Sequence, residues 1–215
     1  MTNTVKKYAA PSPRTRVRRM ASQANYDPST LYAIIDEAYL CHIAFSGDTG
    51  AHCIPTACWR VQEHLYIHGS NGSRMIKQLL SGDDASICIT HLDGIVFARS
   101  AFNHAMNYRS AIIYGQFEQV TKETDKRVAL DAFMDKIALG RNAEVRLGSK
   151  KEMAATSVLR ISLAEAATKI RAGAPVDDAE DMSLDVWAGV MPLQLVKLAP
   201  IADVGVHLPT PQYLM

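Results

Sequence analysis

Between residues 28 and 38 the apolar positions Leu31, Ile34, Ile35 and Ala38 recur at helical spacing. Asp27 and Pro28 ahead of them supply an N-cap and a first-turn proline, so the pattern predicts a helix over 28–38. From Tyr39 the texture changes to short runs rich in β-branched and aromatic residues at 39–45, 51–61, 65–69, 85–92, 95–100 and 108–120, which predict six strands. Their connections are short: Ser46-Gly47-Asp48-Thr49-Gly50 after the first, Gln62-Glu63 after the second, and Asp93-Gly94 between the fourth and fifth. Parallel neighbours need crossovers of about a dozen residues, so these strands are expected to pair antiparallel. A helix over 73–80, with Gly82 beyond its end, interrupts the run. Leu130, Phe133, Met134 and Ile137 mark a later amphipathic helix ending before Gly140, and the alternation over 158–163 predicts one more strand. The stretch 173–181, with Pro175, Asp177, Asp178, Glu180 and Asp181, reads as an exposed acidic connection. Together these elements predict a mainly β, α+β protein. A closed or split barrel of six or seven antiparallel strands is expected, because closure removes exposed edges, and a sandwich is the alternative.

With 215 residues, 48% of them hydrophobic, the chain can bury one substantial core. We expect a single domain over 27–215, including a C-terminal extension, behind a basic arm over 1–26. That arm holds Lys6, Lys7, Arg14, Arg16, Arg18 and Arg19 with no acidic residue, and Pro11 and Pro13 resist regular structure. It reads as a solvated, partly ordered extension. No aromatic residues interleave with its arginines for base stacking, and the formal net charge is only +1, so no nucleic-acid partner is expected. The apolar runs fall far short of the roughly 20 residues that a spanning helix requires, and the N-terminus carries no apolar signal region. No membrane association is expected, and the cytoplasm is the expected compartment. Cys41, Cys53, Cys58 and Cys88 lie in apolar segments with no CxxC pair, which fits buried, reduced thiols. No metal site is expected either, since Cys53 and Cys58 are five apart and face opposite sides of a regular strand.

Two segments could carry chemistry. His68-Gly69-Ser70-Asn71-Gly72-Ser73-Arg74-Met75 joins a strand to a helix and gathers small residues, hydroxyls and a guanidinium at a helix N-terminus. Glycine lets the backbone approach a ligand, free N–H groups attract an anion, and arginine can grip two phosphate oxygens, with Lys77 on the same side. An ordinary turn and capped helix would look much the same. The segment 100–110, Ser-Ala-Phe-Asn-His-Ala-Met-Asn-Tyr-Arg-Ser, is unusually polar between two apolar strands and offers amide, imidazole, phenol and guanidinium donors.

In order along the chain, "ANYDPSTLYAIIDEAYLCHIAF", "LYIHGSNGSRM", "LDGIVFARSAFNHAMNYRSAIIYG" and "VWAGVMPL" resemble the FMN-binding split-barrel superfamily related to pyridoxamine 5'-phosphate oxidase. The branch that includes nitroimidazole-resistance reductases is the most similar. The resemblance implies a six-stranded split barrel that forms a homodimer, with FMN in clefts between the subunits. It implies that Ser70, Ser73, Arg74 and Lys77 hold the FMN phosphate, and that Ile54, Pro55, Thr56 and Ala57 border the ring. Asn107, Tyr108, Arg109 and Ser110 would contribute from the other strand or the partner, Trp187 would close the cleft, and His68 is the candidate at the flavin edge. The implied activity is an oxidoreductase passing hydride or electrons between a nicotinamide donor and a small substrate, a nitroaromatic among the candidates. Pyridoxamine phosphate oxidases grip their substrate with an arginine and a histidine near the C-terminus. This chain has no arginine after Arg171, which disfavours that substrate. A haem-binding barrel and a non-catalytic flavin carrier or sensor are the alternatives.

Overall fold

The computed structural model describes residues 8–214, so Lys6 and Lys7 of the basic arm lie outside the described residues. Helix α1 (Pro28–Glu37) begins at Asp27, whose carboxylate accepts the Ser29 backbone N–H at 3.1 Å, while Pro28 occupies the first turn where a missing N–H costs nothing. Its stripe of Leu31, Ile34 and Ile35 is buried. A short strand β1 (Ala24–Asn25) precedes it. After it come β2 (Leu40–Gly47), β3 (Gly50–Ala57), β4 (Trp59–Val61), β5 (His64–Ser70), helix α2 (Arg74–Leu79), β6 (Ala85–Phe97) and β7 (Ala105–Gly115). The chain continues through β8 (Glu118–Gln119), helices α3 (Glu123–Ile137) and α4 (Lys150–Ala155), β9 (Thr156–Ser162), β10 (Ala166–Arg171) and β11 (Gly189–Pro192).

The strands pair antiparallel into two sheets. One runs β1-β10-β7-β6-β2-β3 with β11 added to β6, and the other runs β4-β5-β9-β8. Alternation along β2 shows how the core is enclosed: Cys41, Ile43 and Phe45 are buried while His42, Ala44 and Ser46 face out. Ile43, Leu65, Ile67, Ile87, Ile113 and Leu159 meet inside the two sheets with no exposed surface. Each such side chain contributes about 1.5–3 kcal/mol through the water it sheds. A smaller core of Trp59, Ala129 and Val158 lies beneath α3, packed by Leu130 and Phe133.

The mixed architecture, mostly antiparallel strands with few helices, is the one the sequence predicts, but several boundaries differ. The expected strand over 51–61 breaks at Cys58, and its two pieces join different sheets. The expected turn at Asp93-Gly94 is instead a β-bulge inside the continuous 13-residue β6, because the pairing with β7 resumes one residue later. On α3 it is Ala129 that is buried, while Ile137 stays 44% exposed. The basic arm is strapped down where it can be seen: Arg14 donates to Glu165 at 2.8 Å and to Asp84 at 2.5 Å. The acidic connection is not wholly exposed, since the Asp177 side chain is 1% accessible and accepts from the Arg99 backbone at 2.8 Å and its guanidinium at 2.9 Å. Cys41 and Cys58 are buried as expected, whereas Cys53 is exposed on β3.

Candidate functional site

The turn between β5 and α2 is built by close approach. A Cβ on Gly69 would lie 2.9 Å from Cγ1 of Ile76, so only glycine lets α2 pack this tightly on the end of β5. Asn71 pins the turn from the far side: its amide donates to the Ala154 carbonyl at 2.7 Å, its carbonyl oxygen accepts from the Ser157 hydroxyl at 2.8 Å, and its backbone N–H donates to Ala155 at 3.0 Å. The Ser70 hydroxyl accepts the Gly72 N–H at 3.2 Å.

With the turn held this way, its other polar groups are left uncommitted. Ser73 stands at the N-cap of α2 without using its hydroxyl to cap it. Arg74 and Lys77 are exposed and make no ion pair among the described residues. Two cations, a spare hydroxyl and unclaimed backbone donors at one turn suit an anionic oxygen group. β3, the outer strand of the larger sheet, touches β5 of the smaller one, with Pro55 exposed and Ile54, Thr56 and Ala57 half-buried. Its outer edge leaves backbone donors and acceptors unpaired, and proline is tolerated there.

The polar run on β7 is used differently. Asn107 is buried, donates to the Gly173 carbonyl at 3.1 Å and accepts from Arg171. Arg109 forks between Asp93, at 2.8 and 2.9 Å, and Glu37, and that contact holds the Glu37 carboxyl below its usual range. Ser110 donates to the Lys169 carbonyl at 3.3 Å, and Tyr108 sits between Leu92 and Arg171 in the sheet. No hydrogen bond ties these residues to the turn at Ser70–Arg74 among the described residues.

His68 lies two residues before Ser70 but points the other way, beneath α3. Its ring sits 4.9 Å from Phe133 and 5.7 Å from Trp59, its Nδ1 is buried without a partner among the described residues, and burial pushes its pKa down. Trp187 stands at the opposite end of β6 from α2. Its indole covers Gly189, 2.9 Å from where a Cβ there would lie, and its centroid is 5.9 Å from Phe97. Phe97 in turn meets His104 at 5.9 Å. Sequence reading marks Trp187 and, within the polar segment 100–110, the imidazole of His104, but gives Phe97 only as part of an expected strand, because the three rings meet only once β11 pairs with β6. The aromatic residues flanking 98–103 were the available signal.

The family model for pyridoxamine 5'-phosphate oxidase matches residues 27–170. Among solved structures, the flavocytochrome Anf3 of Azotobacter vinelandii is 37% identical, with 95% of this chain and 96% of that one covered and a TM-score of 0.92. The FAD and haem binding protein of Mycobacterium smegmatis is 35% identical over 89% of this chain and 95% of that one, with a TM-score of 0.85. A candidate 5-nitroimidazole antibiotic resistance protein of Bacteroides thetaiotaomicron shares the fold at 19% identity, covering 68% of this chain and 86% of that one, with a TM-score of 0.57. No curated protein sequence matches.

Proposed function

Since the chain belongs to the pyridoxamine 5'-phosphate oxidase family, we propose that it is a redox protein carrying a flavin in the turn between β5 and α2, and a haem as well. The observation that carries the flavin reading is the uncommitted set Ser73, Arg74 and Lys77 beside a loop already satisfied by Asn71. These residues fit a phosphate: guanidinium and ammonium offset its charge, and the Ser73 hydroxyl and helix N–H groups can donate to its oxygens. The open edge of β3 offers backbone groups to the polar rim of a flavin ring, and Ile54 and Ala57 supply an apolar wall. When bound, a flavin accepts a hydride from a nicotinamide-type donor and can release electrons singly to a haem.

The haem half of the reading rests on likeness to two proteins, a flavocytochrome and an FAD and haem binding protein, each over nearly the whole chain. The same likeness favours FAD over the FMN implied by sequence. A single-phosphate turn with two cations supports FMN as the second reading, and the mass of the flavin released by heat decides between them. Nitroaromatic reduction has weaker support, since likeness to the resistance protein is one of fold.

We also place the site between two copies of the chain. Trp187 stands beside the far end of β6, about 40 Å along the strand from the end that α2 leads into, so on this reading Trp187 closes over the turn from a second chain.

Arg74→Ala tests the flavin site. Losing a charge-assisted contact of about 1.5–3 kcal/mol weakens flavin binding roughly 10- to 150-fold. Titration of the deflavinated variant with FAD and FMN, followed by fluorescence quenching, measures this. Unchanged affinity for both removes Arg74 from the site.

A further inference from the structure

Resting on the haem half of that reading, we propose that His104 is the residue that ligates the haem iron, on an aromatic platform at the end of β6 and β7. The Nδ1 of His104 lies 2.9 Å from the Ser100 carbonyl oxygen. A carbonyl only accepts, so Nδ1 carries the proton and Nε2 keeps its lone pair. That Nε2 has no partner among the described residues and the ring is exposed. A backbone carbonyl that fixes the tautomer and orientation of an imidazole is the usual outer support of a metal-bound histidine.

The other histidines lack this combination. His91 gives Nε2 to the Ile34 carbonyl at 2.9 Å and turns its Nδ1 to the Glu37 carboxylate at 3.9 Å, His52 spends its Nε2 on Thr49 at 3.0 Å, and His68 is confined between two rings. His42, His64 and His207 have no carbonyl holding either nitrogen among the described residues.

The surroundings suit a large, flat, apolar ring with carboxylate arms. Ile95 pairs with Met106 on one side and Met191 on the other, so these three share one face of the sheet, and Phe97 and Trp187 continue it towards His104. Trp187 is 70% exposed, Met106 51%, and Phe102, two residues before His104, 93%. So much apolar surface in one place calls for a cover. The same turn holds two buried donors with no acceptor among the described residues, Nε of Arg99 and the side-chain amide of Asn103. Buried donors are rarely left unmade, and the propionates of a haem supply acceptors of the required kind.

The test is the absorbance spectrum and cofactor content of the intact protein purified after expression with added haem precursor. Wild type is expected to show a Soret band. His104→Ala is expected to retain its flavin but lose haem by about tenfold or more, as even losing an outer partner costs a metal site that much, and added imidazole is expected to restore the band. His104→Met, which substitutes another axial donor, is expected to keep haem with a displaced band. A His104→Ala protein with wild-type haem content and band position, or a His104→Met protein with an undisplaced band, overturns the assignment of His104 alone. Wild type that carries flavin but takes up no hemin overturns the haem reading itself.

Discussion

His68 stands two residues from the proposed phosphate turn, yet its imidazole is packed against Trp59 and Phe133 and burial lowers its pKa from the ordinary 6.5. The folded protein therefore favours the neutral ring. Above pH 6.5 both folded and unfolded chains hold it neutral, and its contribution to stability is complete. As pH falls below that value the unfolded chain takes up the proton first, so stability drains away until the lowered folded pKa is reached. Thermal melts between pH 8 and pH 5 are expected to show a shallower decline for His68→Phe than for wild type, and equal slopes would count against this packing. The residue types of the site were legible in the sequence, but their allegiances were not. Ser73, Arg74 and Lys77 remain uncommitted as their sequence neighbourhood suggests, whereas Asn107 and Arg109 are claimed by Arg171, Asp93 and Glu37, partners up to 72 positions away. Such pairings form only when β6, β7, β10 and α1 meet, and no local pattern announces them.

The element that positions the turn is α2, and its seat depends on Gly69. An alanine there would put a Cβ 2.9 Å from a branched side chain that is itself 1% exposed, so neither partner can yield cheaply. Gly69→Ala is expected to lower stability by about 1–3 kcal/mol, as overpacking does, and to weaken flavin binding as α2 shifts. Denaturant titration checks the first effect, and an unchanged midpoint would show that α2 has room to spare. Elements with strong periodic patterns, α1 above all, were readable because their caps and apolar stripes are local. The bulge at Asp93 was misread because Asp-Gly serves a hairpin and a bulge equally well, and only the register against β7 separates them. Helix α4 carried its own sign, the Ser149 and Glu152 capping box, but it is six residues long and buries none of them, so no apolar stripe drew attention to it.

Over the whole molecule, the segment after β11 is the part that one copy of the chain does not account for. Leu195, Leu198, Ile201, Val204 and Leu208 are each at least 82% exposed. The far end is tied back by Tyr213, whose hydroxyl donates to Glu144 at 2.6 Å and accepts from Arg141 at 3.0 Å. An apolar arm fixed at both ends and facing outward fits a second copy lying over it. On the proposed two-copy arrangement, truncation after Leu193 is expected to leave a monomer in sedimentation velocity, and a truncated protein that is dimeric would place the interface elsewhere. The fold and the family were readable at this scale from the order of segments, while the platform around His104 needed the sheet assembled first. The most direct measurement is the absorbance of the purified protein together with the mass of whatever heat releases from it. The protein is expected to show the paired blue and near-ultraviolet bands of a flavin beneath a haem Soret band and to release FAD, with FMN as the second reading. A colourless protein that binds neither flavin when both are supplied in excess would contradict the assignment of the Ser70–Arg74 turn.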